Sequence, residues 1–290
     1  MGFYVLSLGG YLNTYGATLV SKNDGYGNYQ EERTIYALNS ALRTFDEVIY
    51  VDWASEGKSL IEIIKTSLVN RSILKYVIVT PKKAKELIGD YPNPQAVVEV
   101  LGRNIGLRRL STDFLVSTNP DIIQPPRKHL TGFTAKDLFA PAGKRTISLF
   151  DIRPLGKPHE DLSDKLLELQ PNYGQQPVVS TYDGDIWSLV SGCGDFQIAH
   201  RDVWYAIRGF EESLKGRGYA DSNVQKKASM LGYRIEVDWD IPVWHIGHEG
   251  VGGGSGGWNT PEIALRDFTQ ITNPDTWGFS NDRSLKLKKL

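Results

Sequence analysis

Residues 17–25 read Ala17-Thr18-Leu19-Val20-Ser21-Lys22-Asn23-Asp24-Gly25: five mostly apolar residues run into a turn cluster. A short apolar run closed by Asn, Asp and Gly is the signature of a buried strand that ends in a loop. Residues 31–45 follow as an amphipathic helix with Ile35, Leu38 and Leu42 on one face. Residues 47–52 (Glu-Val-Ile-Tyr-Val-Asp) form a second strand. A helix over 59–68 presents Leu60, Ile63, Ile64 and Leu68 at helical spacing, and 76–80 is a third strand. Pro81 opens the next helix, since proline suits a first turn. A helix-like run after Arg103 leads to a fourth strand over 114–118. Strand and helix patterns that alternate in this way predict a mainly parallel central sheet flanked by helices, an α/β fold.

Residues 125–184 carry proline and loop signals with only short periodic pieces, and read as an irregular insertion. Helical patterns return near Arg201 and over 221–231, with a strand over 233–237 between them and the glycine-rich run 250–257. No internal repeat is present. One domain over 1–290 is expected, in four stretches: 1–124, the irregular segment 125–184, 185–260, and a tail 261–290.

Composition removes several classes. A net charge of −1 supplies no field to draw nucleic acid, so no nucleic-acid partner is expected. A single cysteine, Cys193, excludes an internal disulfide framework. Residues 1–10 lack a signal-peptide pattern, and no run approaches the ~18 apolar residues of a membrane span, so a soluble, cytoplasmic protein is expected. The final Leu285-Lys286-Leu287-Lys288-Lys289-Leu290 reads as a solvated tail, or as a weak contact with an anionic membrane surface. Seven Trp and fourteen Tyr suit either sugar faces or a packed core.

Ligands of open α/β sheets bind beyond the carboxyl ends of the strands. Three such ends are polar here: Asp24, Asp52 in Val51-Asp52-Trp53-Ala54-Ser55, and Asn119-Pro120-Asp121. Each could be a helix cap or turn former; their recurrence favours a site. No Gly-x-Gly-x-x-Gly follows the first strand and no glycine-lysine phosphate loop is present, which argues against a dinucleotide or Walker-type site.

In this order the segments resemble family 2 glycosyltransferases with the GT-A fold. The resemblance rests on Val20-Ser21-Lys22-Asn23-Asp24, Val51-Asp52-Trp53-Ala54-Ser55, Arg103-Asn104-Ile105-Gly106 and Ser117-Thr118-Asn119-Pro120-Asp121. It continues in Gly209-Phe210-Glu211-Glu212, Gly218-Tyr219-Ala220-Asp221 and Pro242-Val243-Trp244-His245. It implies transfer of a hexosyl unit from a nucleotide-diphosphate sugar, UDP-sugar favoured, to a glycan or other acceptor hydroxyl, with inversion. Ser21, Asn23, Asp24, Asp52, Arg103, Asn104 and Asn119 are implied to hold the donor. Asp121 and His245 are implied to hold Mn²⁺ or Mg²⁺; His248, three residues on, would face away from His245 on a strand and could join it in a turn. Asp221 is the implied general base, and Asp195, Glu211, Glu212 and Trp204 the acceptor side. Two positions depart from the pattern: Asn119 stands where the family's first metal-motif carboxylate is common, and Ala220 where a glutamate commonly precedes the base. A non-catalytic nucleotide-sugar-binding protein and a sugar-phosphate nucleotidyltransferase are the rival readings.

Overall fold

A computed structural model describes residues 13–89, 99–130, 132–141, 145–169, 194–214, 220–238, 241–249 and 271–290. In chain order the elements are β1 (Tyr15–Ser21), α1 (Gln30–Thr44), β2 (Glu47–Trp53), α2 (Leu60–Ile64), β3 (Leu74–Val79), α3 (Pro81–Ile88) and α4 (Glu99–Leu107). They continue with β4 (Phe114–Thr118), β5 (Ile122–Ile123), β6 (Asp137–Pro141), β7 (Arg145–Ser148), α5 (Leu149–Ile152) and α6 (Ser163–Leu169). The last are β8 (Phe196–His200), α7 (Arg201–Ala206), α8 (Ala220–Met230), β9 (Arg234–Asp238), β10 (Trp244–Gly247) and β11 (Lys288–Lys289).

The fold is α/β, with an eight-stranded mixed, mainly parallel sheet in the order β11-β3-β2-β1-β4-β8-β6-β9. β1 runs parallel to both β2 and β4; β8 and β11 are antiparallel to their neighbours. The apolar runs of β1 and β2 are explained by burial on both faces. Ala17, Leu19, Val48 and Tyr50 point toward α1 and α2. Val20, Ile49, Val51 and Trp53 point the other way, toward α3, α4, α7 and α8. This is the period-2 alternation of a strand expressed between two helical layers.

Gly106 shows why α4 needs glycine where it crosses β1. A Cβ there would stand 1.7 Å from Thr18 Oγ1, so any side chain would push the helix off the sheet. The Arg-Asn-x-Gly segment is therefore in part a packing device. It also lies within the helix, which starts at Glu99, and not at a helix start as the resemblance implies.

A second sheet, β5-β10-β7, packs its apolar side chains with Tyr36 of α1. β6 and β7 fall inside the stretch read as irregular. β6 joins the main sheet between β8 and β9, and β7 pairs with β10. The chain end is neither a frayed tail nor, in this structure, a membrane-facing segment: β11 pairs antiparallel with β3, and Leu285 is buried. No helix of the described residues is long and apolar enough to cross a membrane. The run 250–257 lies outside the described residues.

The sheet order reverses at β1. The β1–β2–β3 crossovers run one way, and the next parallel strand, β4, returns to the other side of β1. The crevice above β1 and β4 is thus the switch point where an open α/β sheet places its ligand.

Candidate active site

Four residues assigned to the donor lie at the β1 and β2 ends. Ser21 is in register with Asp52. The Asn23 N–H donates to Ser55 Oγ at 2.7 Å and its Nδ2 to the Lys58 carbonyl at 3.0 Å, so the two strand-end loops are tied together. Asp24 is exposed and accepts from the Tyr26 N–H at 3.0 Å. Asp52 is fully buried; its Oδ2 accepts from the Leu60 N–H at 2.9 Å and caps α2. Burial pushes its carboxyl pKa up, and hydrogen bonds from Ser55, Ser59 and the Leu60 N–H only partly offset this.

Just past β4, the turn at Asn119-Pro120 presents Asp121 to two imidazoles. Asp121 Oδ2 lies 3.2 Å from His248 Nε2 and 3.6 Å from His245 Nε2. β10 carries His245 against Ile122, and the Ile246 N–H donates to the Asp121 carbonyl at 2.9 Å. On a strand, residues three apart face opposite sides. His248 escapes this because β10 ends at Gly247, and the two rings converge with centroids 5.3 Å apart. The three donor atoms lie within 4.8 Å of one another. Their closest separations approach the ~3 Å edge of an octahedron with ~2.1 Å bonds. Asp121 Oδ1 and His245 Nδ1 are buried and lack hydrogen-bond partners among the described residues. A donor set of one carboxylate and two imidazoles fits a divalent transition metal such as Mn²⁺ better than a purely oxygen-seeking ion such as Mg²⁺.

Arg33 carries no local signal of a site role. It sits in Gln30-Glu31-Glu32-Arg33, which reads as a solvated first turn, yet it is buried. Its Nη1 donates to Asp121 Oδ2 at 3.3 Å, Nε to the Asn28 carbonyl at 3.0 Å, and Nη2 to the Gly27 carbonyl at 3.1 Å and to that of Tyr26. One side chain thus binds the loop after β1 to the carboxylate after β4. Burial alone would push the Asp121 carboxyl up; hydrogen bonds from the imidazoles and the charge of Arg33 outweigh it and hold the group well below the usual carboxylate range.

A second cluster adjoins the first. Arg103 Nη1 donates to Ser117 Oγ at 2.9 Å and to the Gly194 carbonyl at 3.2 Å; Nη2 contacts Glu99 and Asn119. Asn119 Nδ2 donates to Asp195 Oδ1 at 2.7 Å. Asp221, in the first turn of α8, packs onto Gly194: a Cβ there would come within 2.1 Å of Asp221 Oδ2. Burial raises the Asp221 pKa, and the charge of Arg103 only partly offsets it. Asn119, Asp195, Arg103 and Asp221 are therefore neighbours. Gly218 and Tyr219 lie outside the described residues.

Other assigned residues are engaged elsewhere. Asn104 is fully buried; its Oδ1 accepts from the Phe210 N–H and its Nδ2 donates to the Phe210 carbonyl and to Glu212, leaving nothing for a ligand. Trp204 is a core residue with no exposed surface: its Nε1 donates to the Leu115 carbonyl and its ring stacks on Phe210, so it offers no face to an acceptor. Glu211 is buried beside Lys227 at 3.8 Å, and Glu212 accepts from the Gly278 N–H at 2.7 Å. Burial holds the Lys227 pKa down at about 8. These groups lock the 209–212 turn to α8 and the chain end, a structural cluster built from residue types that a site would also use. Arg108 lies over the Tyr205 and Trp277 rings, and Arg109 donates to the Gly278 and Phe279 carbonyls; neither reaches the switch point. A cavity of about 150 Å³, lined by Tyr36, Arg43 and Asp161 among others, lies beside α1 and contains none of the assigned residues.

No family model matches the chain, and no curated protein matches it. Among solved structures it is similar to residues 1–349 of S. aureus TarS (TM-score 0.47, 16% identity, covering 80% of this chain and 60% of that one). It is also similar to the mannosyltransferase PcManGT from Pyrobaculum calidifontis in complex with GDP-Man and Mn²⁺ (0.48, 16%, 85% and 59%). A third is GalNAc-T7 with UDP, GalNAc and Mn²⁺ (0.48, 12%, 87% and 46%). These neighbours are GT-A glycosyltransferases. The chain spans 46–60% of their lengths. The likeness is one of chain path, and the residues carry the reading of the site.

Proposed function

We propose that the protein is a metal-dependent glycosyltransferase that moves a sugar, with inversion, from a nucleotide-diphosphate sugar to an acceptor hydroxyl, with UDP-sugars as the favoured donors. The observation that carries the reading is the convergence of Asp121, His245 and His248 at the switch point, with a half-buried carboxylate, Asp221, beyond Asn119. In this reading 1–124 is the donor half and 185–260 the acceptor half of one catalytic domain.

Asp121, His245 and His248 would hold Mn²⁺ or Mg²⁺, which when bound neutralises charge on the leaving diphosphate. Asp52, at the end of β2 in register with Ser21, would accept from a pyrimidine ring N–H. Ser21, Asn23 and Asp24 would line the nucleoside. Arg103 and Asn119 would act less on the donor than on one another, fixing Asp195 and the Gly194 backbone against Asp221. Asp221 would take the acceptor proton as that oxygen bonds to the anomeric carbon and the bond to the diphosphate breaks on the opposite face. A base with a raised pKa is better matched to that task than an ordinary carboxylate.

The test is incubation with a panel of UDP-, GDP- and dTDP-sugars and Mn²⁺, scored for released nucleoside diphosphate. Release that stops with chelator and returns with Mn²⁺ is expected. Formation of inorganic diphosphate from sugar phosphate and a nucleoside triphosphate would instead identify a nucleotidyltransferase.

A further inference from the structure

Two aromatic rings stand in solvent on elements that also help build the metal cluster, where burial does not explain them. Tyr29 is 51% exposed and Phe150 60% exposed. Their centroids are 5.8 Å apart with planes at 87°, an edge-to-face pair with the Arg153 guanidinium over one face of each ring. The Arg153 guanidinium lies 4.9 Å from one centroid and 5.0 Å from the other. Glu32 holds that guanidinium from behind, at 3.0 Å to Nε and 2.6 Å to Nη2.

The pair is positioned by the elements that build the metal cluster. Tyr29 precedes α1, and its carbonyl accepts from the N–H of Arg33, whose Nη1 reaches Asp121. Its backbone is left-handed (φ 60°, ψ 37°), a strained region for a residue with a side chain. Arg33 grips the three preceding carbonyls and so sustains that conformation. Phe150 lies two residues beyond Ser148, which is in register with Gly247, the neighbour of His248.

We infer that Tyr29, Phe150 and Arg153 form a carbohydrate-stacking platform for the acceptor glycan, binding sugar units beyond the one that reacts. The inference rests on the proposed transferase reading for the word acceptor, but not for the platform. The size of the patch favours a sugar over a protein: two half-exposed rings leave roughly 200 Å² of apolar surface, against the ~800 Å² per partner of a stable protein interface. Its chemistry agrees. Ring faces turned away from Arg153 meet the C–H faces of a pyranose, while the Arg153–Glu32 pair between the rings meets hydroxyls with donors and acceptors.

The experiment titrates cellotetraose, chitotetraose, maltotetraose and mannotetraose into the full chain, without nucleotide or metal, and follows binding by calorimetry and ligand-observed NMR. At least one tetrasaccharide is expected to bind, and Phe150→Ala to weaken it about three- to tenfold, the scale of a ring contact. Phe150→Trp should restore binding, and an unchanged melting temperature in both variants would show that the fold is intact. If transfer is found, Phe150→Ala should raise acceptor KM by more than it lowers kcat. Binding without any transfer would leave the platform standing and sink the transferase reading. The platform is overturned if no tetrasaccharide binds, if Phe150→Ala binds as tightly as the parent, or if the variant abolishes self-association seen by sedimentation instead.

Discussion

The carboxylate of Asp221 lies so close to Gly194 that a Cβ on the glycine would stand 2.1 Å from Oδ2. Arg103 grips the Gly194 carbonyl from the other side. The expected result of Gly194→Ala is therefore displacement of Asp221 with little change elsewhere. Turnover should fall at least as far as in Asp221→Asn, while nucleotide affinity by calorimetry stays near the parent value.

Asp221→Asn is nearly isosteric and should lower turnover by ~10²–10⁴, the worth of a positioned base. The pH profile carries a sign. Because burial raises the folded pKa, the base gains its proton at a higher pH than an ordinary carboxylate, and the acid limb of kcat/KM should lie above the usual carboxylate range. Stability runs the opposite way. A carboxyl whose folded pKa exceeds its unfolded one favours the fold while protonated, and loses that contribution as pH rises through the folded pKa. At neutral pH the asparagine variant should melt no lower than the parent. A clear fall in melting temperature would mark Asp221 as a structural helix residue.

Asp52 has two roles that one pair of variants separates. Asp52→Ala removes the cap on α2 and should destabilise by about 0.5–2 kcal/mol in chemical denaturation. Asp52→Asn can keep an oxygen on the Leu60 N–H. If Oδ1 faces a nucleobase, this variant should retain stability and still lose UDP affinity by about 1.5–3 kcal/mol, the scale of a hydrogen bond to a charged group. Full affinity in Asp52→Asn would remove the residue from the donor site.

Glu211 tests whether the 209–212 turn belongs to the acceptor or to the scaffold. Glu211→Ala leaves the buried Lys227 ammonium its hydrogen bond to the Gly209 carbonyl but removes its nearest carboxylate, and should destabilise by about 3–5 kcal/mol. Replacing both, as Glu211→Leu with Lys227→Met, should recover most of that loss. A raised acceptor KM with unchanged stability would return Glu211 to the acceptor side.

The main sheet was legible because β1, β2 and β4 are buried on both faces and so read as apolar runs between turn signals. β6 and β7 were not. Asp137-Leu138-Phe139-Ala140-Pro141 is short and ends on proline, and Arg145-Thr146-Ile147-Ser148 alternates for only four residues. Their strand character comes from neighbours distant in sequence. At the candidate site, Asp121, His245 and His248 could be named from motif order and chemistry, and the structure brings them together. Asn104, Trp204, Glu211 and Glu212 could not be sorted, because buried scaffolds and ligand sites draw on the same residue types. Arg33 left no local trace, since its role exists only once α1 lies across the β4 turn.

The central claim, that Asp121, His245 and His248 hold the cation required for transfer, is tested most directly by Mn²⁺ binding followed by electron paramagnetic resonance, with and without UDP. The parent should bind one Mn²⁺ per chain, more tightly with UDP because the diphosphate completes the coordination shell. Asp121→Asn and the double variant His245→Ala/His248→Ala should each weaken that binding at least tenfold and lose turnover in parallel. Unchanged Mn²⁺ affinity in both, with metal-dependent transfer intact, would contradict the account.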